Sequence, residues 1–166
     1  MRSLLPLLAI CLLALPLGSA QSQKPENKGW NELLPPGKGR EIVLNSCTTC
    51  HGLKMVVHGR KNSADWKKAV NDMIQRGAPV FPEEIEPLDQ YLAKAFAADL
   101  PKPINVNTAA RVDLEKLPGM KSELAARLLE ARAKAGPFKN AEELRRHVKF
   151  DDAEFETVRY LLKYAD

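Results

Sequence analysis

The amino-acid sequence predicts an all-α chain built as two small helical packets. Three observations lead there. Apolar residues recur at helical spacing, first Trp66, Val70 and Met73, then Ile85, Leu88, Tyr91, Leu92 and Phe96; each set shares one helix face. Pro and Gly punctuate the chain between such stretches, at Pro35-Pro36-Gly37, Gly77 to Pro82, Leu117-Pro118-Gly119 and Gly136-Pro137. Leu100-Pro101-Lys102-Pro103 then reads as a short extended connector. The expected layout is a signal segment at 1–20, a flexible leader at 21–34, a first helical domain at 35–99, a linker at 100–104 and a second domain at 105–166.

The first 20 residues have the form of an export signal. Arg2 supplies a positive start, Leu4 to Leu17 an apolar run, and Gly18-Ser19-Ala20 small residues before a cleavage point at Ala20/Gln21. The apolar run is shorter than the roughly 20 residues of a membrane span. Cys11 follows Ile10 rather than a small residue, so it does not read as a lipid-attachment site. No later stretch is apolar enough to span a membrane. The expected location is the periplasm or the exterior.

The formal charge is +4, or +3 once Arg2 leaves with the signal. So mild an excess does not by itself point to nucleic acid. There is no Ser-His-Asp set, no spaced carboxylate pair and no Gly-rich loop ending in Lys-Ser/Thr, so the chain is not read as an enzyme in its own right.

The chemistry concentrates in Cys47-Thr48-Thr49-Cys50-His51, the C-x-x-C-H pattern of c-type haem attachment. Two thiols three positions apart suit the two vinyl groups of one porphyrin, and the adjacent imidazole suits the iron. A half zinc site or a thioredoxin-like pair also carries C-x-x-C. The first lacks its second ligand pair and the second its βαβ context. Loss of Cys11 with the signal leaves only Cys47 and Cys50, so haem attachment would leave no thiol to pair in an oxidising compartment. The expected cofactor is one covalently bound haem c, on Cys47 and Cys50 with His51 as proximal iron ligand.

In chain order, Gly39 to Cys47 has the spacing of an entry helix, with Gly39 eight residues before Cys47. This arrangement resembles the class I cytochromes c, in which a small residue at that point lets the first and last helices cross closely. Ser63 is the expected N-cap of the Trp66 helix and Gly77 its stop; Pro82-Glu83-Glu84 opens the closing helix. The Trp66–Met73 helix followed by Arg76-Gly77-Ala78 is similar to small cytochromes c of oxidoreductase electron-transfer subunits. That likeness implies Met73 as distal iron ligand, with His58 the alternative. The class usually has a Pro after the motif, near the proximal His; none occurs between Gly52 and Ala78.

The second half runs Ile104 to Ala109, then Leu114, Leu117-Pro118-Gly119-Met120, Ala125, Leu128, Leu129, Gly136-Pro137-Phe138 and Leu144. It resembles the helix-hairpin-helix domains of the competence protein ComEA type. The resemblance implies a turn at Gly119 whose following helix offers free N–H groups to a DNA phosphate. Gly119 and Lys121 are thus the candidate phosphate or partner contacts. Lys121 stands where the family has a second turn glycine, and Val148-Lys149-Phe150-Asp151 stands where a second glycine turn is expected. Residues 101–166 carry thirteen Lys and Arg against eleven Asp and Glu. At most one phosphate clamp is expected. The favoured role is one-electron transfer, the module docking a redox partner such as a periplasmic dehydrogenase or oxidase. The alternative is an exported, competence-like DNA-binding protein with an accessory haem.

Overall fold

A computed structural model describes Asn27 and residues 29–164. The signal segment, its cleavage point and half of the leader lie outside the described residues. Among the described residues the chain forms eight α-helices: α1 Lys38–Ser46, α2 Lys54–Val57, α3 Ser63–Gln75, α4 Pro82–Ala95, α5 Arg111–Leu114, α6 Ser122–Ala135, α7 Ala141–Val148 and α8 Asp152–Val158. Two short strands, β1 Ile104–Asn105 and β2 Leu162–Lys163, pair in parallel. The chain is mostly helical.

In the first half α1 packs across α4. The crossing is as close as it is because Gly39 has no side chain. A Cβ there would lie 2.3 Å from Tyr91 Cβ and 3.0 Å from the Pro87 carbonyl. Tyr91 donates its hydroxyl to the Pro35 carbonyl at 2.8 Å, and burial pushes its pKa up. Trp66 from α3 donates Nε1 to the Phe96 carbonyl at 3.0 Å, tying α3 to the end of α4. Leu53, Val57, Val70, Leu88 and Leu92 fill the space between the three helices.

Helix termini follow local chemistry with one shift. Asn62, not Ser63, caps α3: its side chain accepts the Asp65 N–H at 2.9 Å while Ser63 already has helical backbone. Gly77 follows the end of α3 with φ +92°, the left-handed stop that favours glycine. Pro82 opens α4, and Glu84 accepts the Phe81 N–H at 2.9 Å.

The segment read as a flexible leader and the extended connector are both packed. The last residues of the leader form a 3-10 turn, Asn31–Leu33, and Leu33 and Leu34 are 1% and 2% exposed. Burying two leucines is worth about 1.5–3 kcal/mol each, enough to order a short segment. The linker is held by Arg60, whose guanidinium donates to the carbonyls of Leu100 at 3.0 Å and Pro101 at 2.7 Å.

The second half surrounds Leu114, Leu124, Leu128, Leu144, Val158 and Leu162. Asn107 knits it together, donating to the carbonyls of Phe138 and Tyr164 and accepting the Phe138 N–H. The apolar pattern suggests a last helix from Asp152 to Tyr164; the helix stops at Val158 and a 3-10 turn leads into β2. Extended backbone puts Leu162 fully inside and pairs it with Ile104. Tertiary pairing outweighs helical periodicity there. The halves meet where Glu32 accepts the Ala141 N–H at 3.1 Å, and a groove of about 660 Å³ runs between Pro35–Gly39 and Pro118–Tyr160.

Alanine within a helix is normally up to about 1 kcal/mol better than glycine. At Gly39 the sign reverses: Gly39→Ala should lose roughly 1–3 kcal/mol through overpacking against Tyr91. Urea unfolding checks this, and an unchanged or raised midpoint contradicts it.

Candidate functional site

The Cys47–His51 segment begins where α1 ends. Its first three residues continue as a 3-10 turn, Cys47–Thr49. The two threonines turn inward to the backbone: Thr48 donates to the Leu44 carbonyl at 2.6 Å and Thr49 to the Ser46 carbonyl at 2.7 Å. Those bonds hold the turn that carries both cysteines. Cys47 and Cys50 are free thiols, the first half-buried and the second exposed. Burial pushes the Cys47 thiol up to about 11. A reactive thiolate has its pKa lowered instead, so Cys47 lacks the activation that a thioredoxin-like pair requires. Among the described residues no cluster of three or more His, Cys, Asp or Glu is arranged to hold a metal ion.

His51 is half-buried, and its Nδ1 lies 3.2 Å from the Gly52 carbonyl. With Nδ1–H donating there, Nε2 is left as the metal-binding nitrogen; such an engaged second nitrogen is what orients a ligating imidazole. No side-chain pattern announces a partner for this ring, because the acceptor is a backbone atom. Donor chemistry therefore fits a covalently bound haem: two unpaired thiols on one turn and an imidazole held by its far nitrogen.

The two distal candidates sit in different surroundings. Met73 is half-buried near the end of α3, and its carbonyl accepts from Arg76 and Ala78, both at 3.0 Å. Ser46, the buried residue before Cys47, donates to the Pro79 carbonyl at 2.8 Å. The chain just after Met73 is thus fastened beside the Cys47–Thr49 turn. Nearby in sequence, Met55 and Phe81 are 66% and 62% exposed. His58 instead packs edge-on to Trp30 with ring centroids 5.2 Å apart. Its Nε2 is buried without a partner. Burial, then the charges of Lys163, Lys54, Lys102 and Arg60, lower its pKa.

Sequence reasoning missed Trp30, which lies in the supposed leader, and Ser46. It also missed Asn27, which accepts the Leu53 N–H at 2.7 Å. A lone aromatic in a polar leader gives no periodic signal. Arg60 and Lys54 are engaged within the fold: Arg60 on the carbonyls of Val57, Gly59, Leu100 and Pro101, Lys54 over the Trp30 ring.

In the second half Gly119 has φ +81° at the turn between α5 and α6. A Cβ there would lie 2.5 Å from the Thr157 methyl, so packing against α8 requires glycine independently of any phosphate. Lys121 is exposed and precedes α6 without capping it through its side chain. Arg111, Glu115 and Ser122 bond to one another beside this helix start. The second turn keeps its shape without glycine: Lys149 is left-handed, with φ 56° and ψ 54°. Its carbonyl accepts from Arg127 at 2.6 Å. Asp151 and Glu154 form a reciprocal capping box at the start of α8, and Arg127 pairs with Glu154 at 2.9 Å. The protein's own carboxylates take the N–H groups of Asp151 and Glu154 at this helix start.

Residues 101–163 match the family profile described as helix-hairpin-helix motif, of the ComEA type. No curated protein and no solved structure matches the chain. The C-terminal region thus carries a helix-hairpin-helix motif within a mostly helical chain.

A left-handed lysine costs about 1–2 kcal/mol relative to a helical conformation, a cost glycine does not carry. Lys149→Gly should raise stability by about 0.5–1 kcal/mol in thermal or urea unfolding. A lowered midpoint would mean that the lysine side chain contributes more than the backbone loses.

Proposed function

We propose that this chain is an exported, single-haem electron carrier whose helix-hairpin-helix region docks it to a partner in the periplasm. The observation that carries the reading is the C-x-x-C-H turn at the end of a helix that crosses the closing helix at a glycine. Cys47 and Cys50 would hold the porphyrin through thioether bonds and His51 the iron through Nε2. A haem bound there supplies one-electron exchange between ferrous and ferric iron. The protein's own part is to keep that group in a fixed, water-poor setting. Gly39 sets the approach of α1 to α4, Ser46 fastens the Met73 segment beside the turn, and the Gly52 carbonyl fixes the imidazole.

Met73 is the proposed distal ligand. Its segment is stitched to Ser46, whereas His58 is engaged with Trp30 at the junction of the halves. Purified protein should show the thioether-to-iron absorption band in its oxidised spectrum, lost in Met73→Ala and kept in His58→Ala. Loss of the band only in His58→Ala would reverse the assignment.

A second reading is favoured by the match over 101–163: an exported protein that grips DNA through the hairpin, the haem being an accessory. Gly119 and the free N–H groups opening α6 are the candidate contact, with Lys121 beside them. Supporting the first reading over this one, the second hairpin has spent its donors on Asp151 and Glu154, and Glu115 adds a carboxylate near the first. The electron-carrier reading expects no duplex binding in a gel-shift assay at low salt. Binding that weakens steeply with added salt would favour the DNA reading.

A further inference from the structure

We propose that the junction of the two halves is a docking surface for a carboxylate-rich protein face, built by Lys54, Lys102 and Lys163 around the half-exposed Trp30. The proposal deepens the electron-carrier reading and rests on it for the identity of the partner. Four cations from separate stretches of chain converge there. The Nζ atoms of Lys54 and Lys163 each stand 5.8 Å from the centre of the Trp30 ring. Both of these, with Lys102 and Arg60, lie close enough to His58 to depress its protonation. One half contributes Lys54 and Arg60; the linker and the last strand contribute Lys102 and Lys163.

Among the described residues, none of the ion pairs includes Lys54, Arg60 or Lys102. Glu32, two residues from Trp30, turns its carboxylate to the Ala141 N–H instead. His58 adds no negative charge. Lys54 and Lys102 are exposed. Gathering like charges costs stability and raises the local potential, which speeds and orients encounter with an oppositely charged partner.

Two features favour a protein carboxylate face over a nucleic acid. Arg60, the only guanidinium of the set, has its donors committed to four backbone carbonyls, so no fork is offered to a phosphate. The Trp30 ring is already approached by two ammonium groups, whereas single-strand binding needs an open aromatic face on which a base can stack. The patch also begins at Lys54, three residues after His51, on the chain that continues directly from the attachment turn.

The test uses the full mature protein and two probes, an oligoglutamate peptide and a single-stranded oligonucleotide of equal length. Binding is followed by calorimetry at low salt. The wild-type protein should bind the peptide, and Lys54→Glu with Lys102→Glu should weaken that binding at least tenfold. Circular dichroism checks that the variant remains folded, and Lys54→Gln with Lys102→Gln serves if it does not. No peptide binding by the wild type, or equal binding by a folded variant, overturns the proposal. Oligonucleotide binding alone, lost in the variant, overturns it in favour of a nucleic-acid surface. The peptide titration does not depend on haem, and the visible spectrum of the same sample reports haem separately. Failure of the docking surface and failure of the electron-carrier reading are therefore distinguishable.

Discussion

The approach of α1 to α4 at Gly39 governs the first half of this protein. A Cβ at that point would lie 2.3 Å from Tyr91 Cβ, a separation that packed side chains do not reach. With the glycine in place, α1 lies close across α4 and delivers Cys47 to the edge of the apolar cluster. Tyr91 in turn reaches Pro35, so the chain entering α1 is fixed by the same crossing. Ser46 then donates to the Pro79 carbonyl, and the segment between α3 and α4 comes to rest beside the Cys47–Thr49 turn. Cys47 and the chain after Met73 are placed by this one helix crossing, while the Gly52 carbonyl beside it holds His51.

The second half is a case of backbone shape kept while its polar donors are redirected. Lys149 adopts the left-handed conformation that glycine would take, so the turn between α7 and α8 persists. Asp151 and Glu154 then accept each other's N–H at the start of α8, and Arg127 pairs with Glu154. A helix start capped by its own carboxylates gains stability and loses affinity for an external anion. The motif is therefore present as a fold, with its second anion-binding end closed. The first hairpin differs: Lys121 caps nothing through its side chain, and the N–H groups of α6 are not taken by a capping side chain.

Much of this was legible in the sequence wherever local chemistry decides the outcome. Pro82 as a helix start, Gly77 as a stop, Gly119 as a left-handed turn and the Gly39 crossing all follow from what those residues can and cannot do sterically. What stayed hidden depends on distant partners. Leu33 and Leu34 read as leader because the core they enter is built later in the chain. The helix from Asp152 stops at Val158 because Leu162 pairs with Ile104, more than fifty residues upstream. Trp30 and His58 meet across the same kind of separation. For the site, the thiols and imidazole were legible from spacing; the Gly52 carbonyl beside His51 was not, since a backbone acceptor leaves no mark in the sequence.

In the proposed electron carrier, Cys47 and Cys50 carry a haem. The intact mass of the mature protein, expressed with a haem-attachment system and exported, reads this directly. The expected mass is increased by one haem, survives acid extraction, and loses that addition when both cysteines are replaced by alanine. A mass equal to that of the unmodified chain, with both thiols titratable, would contradict it.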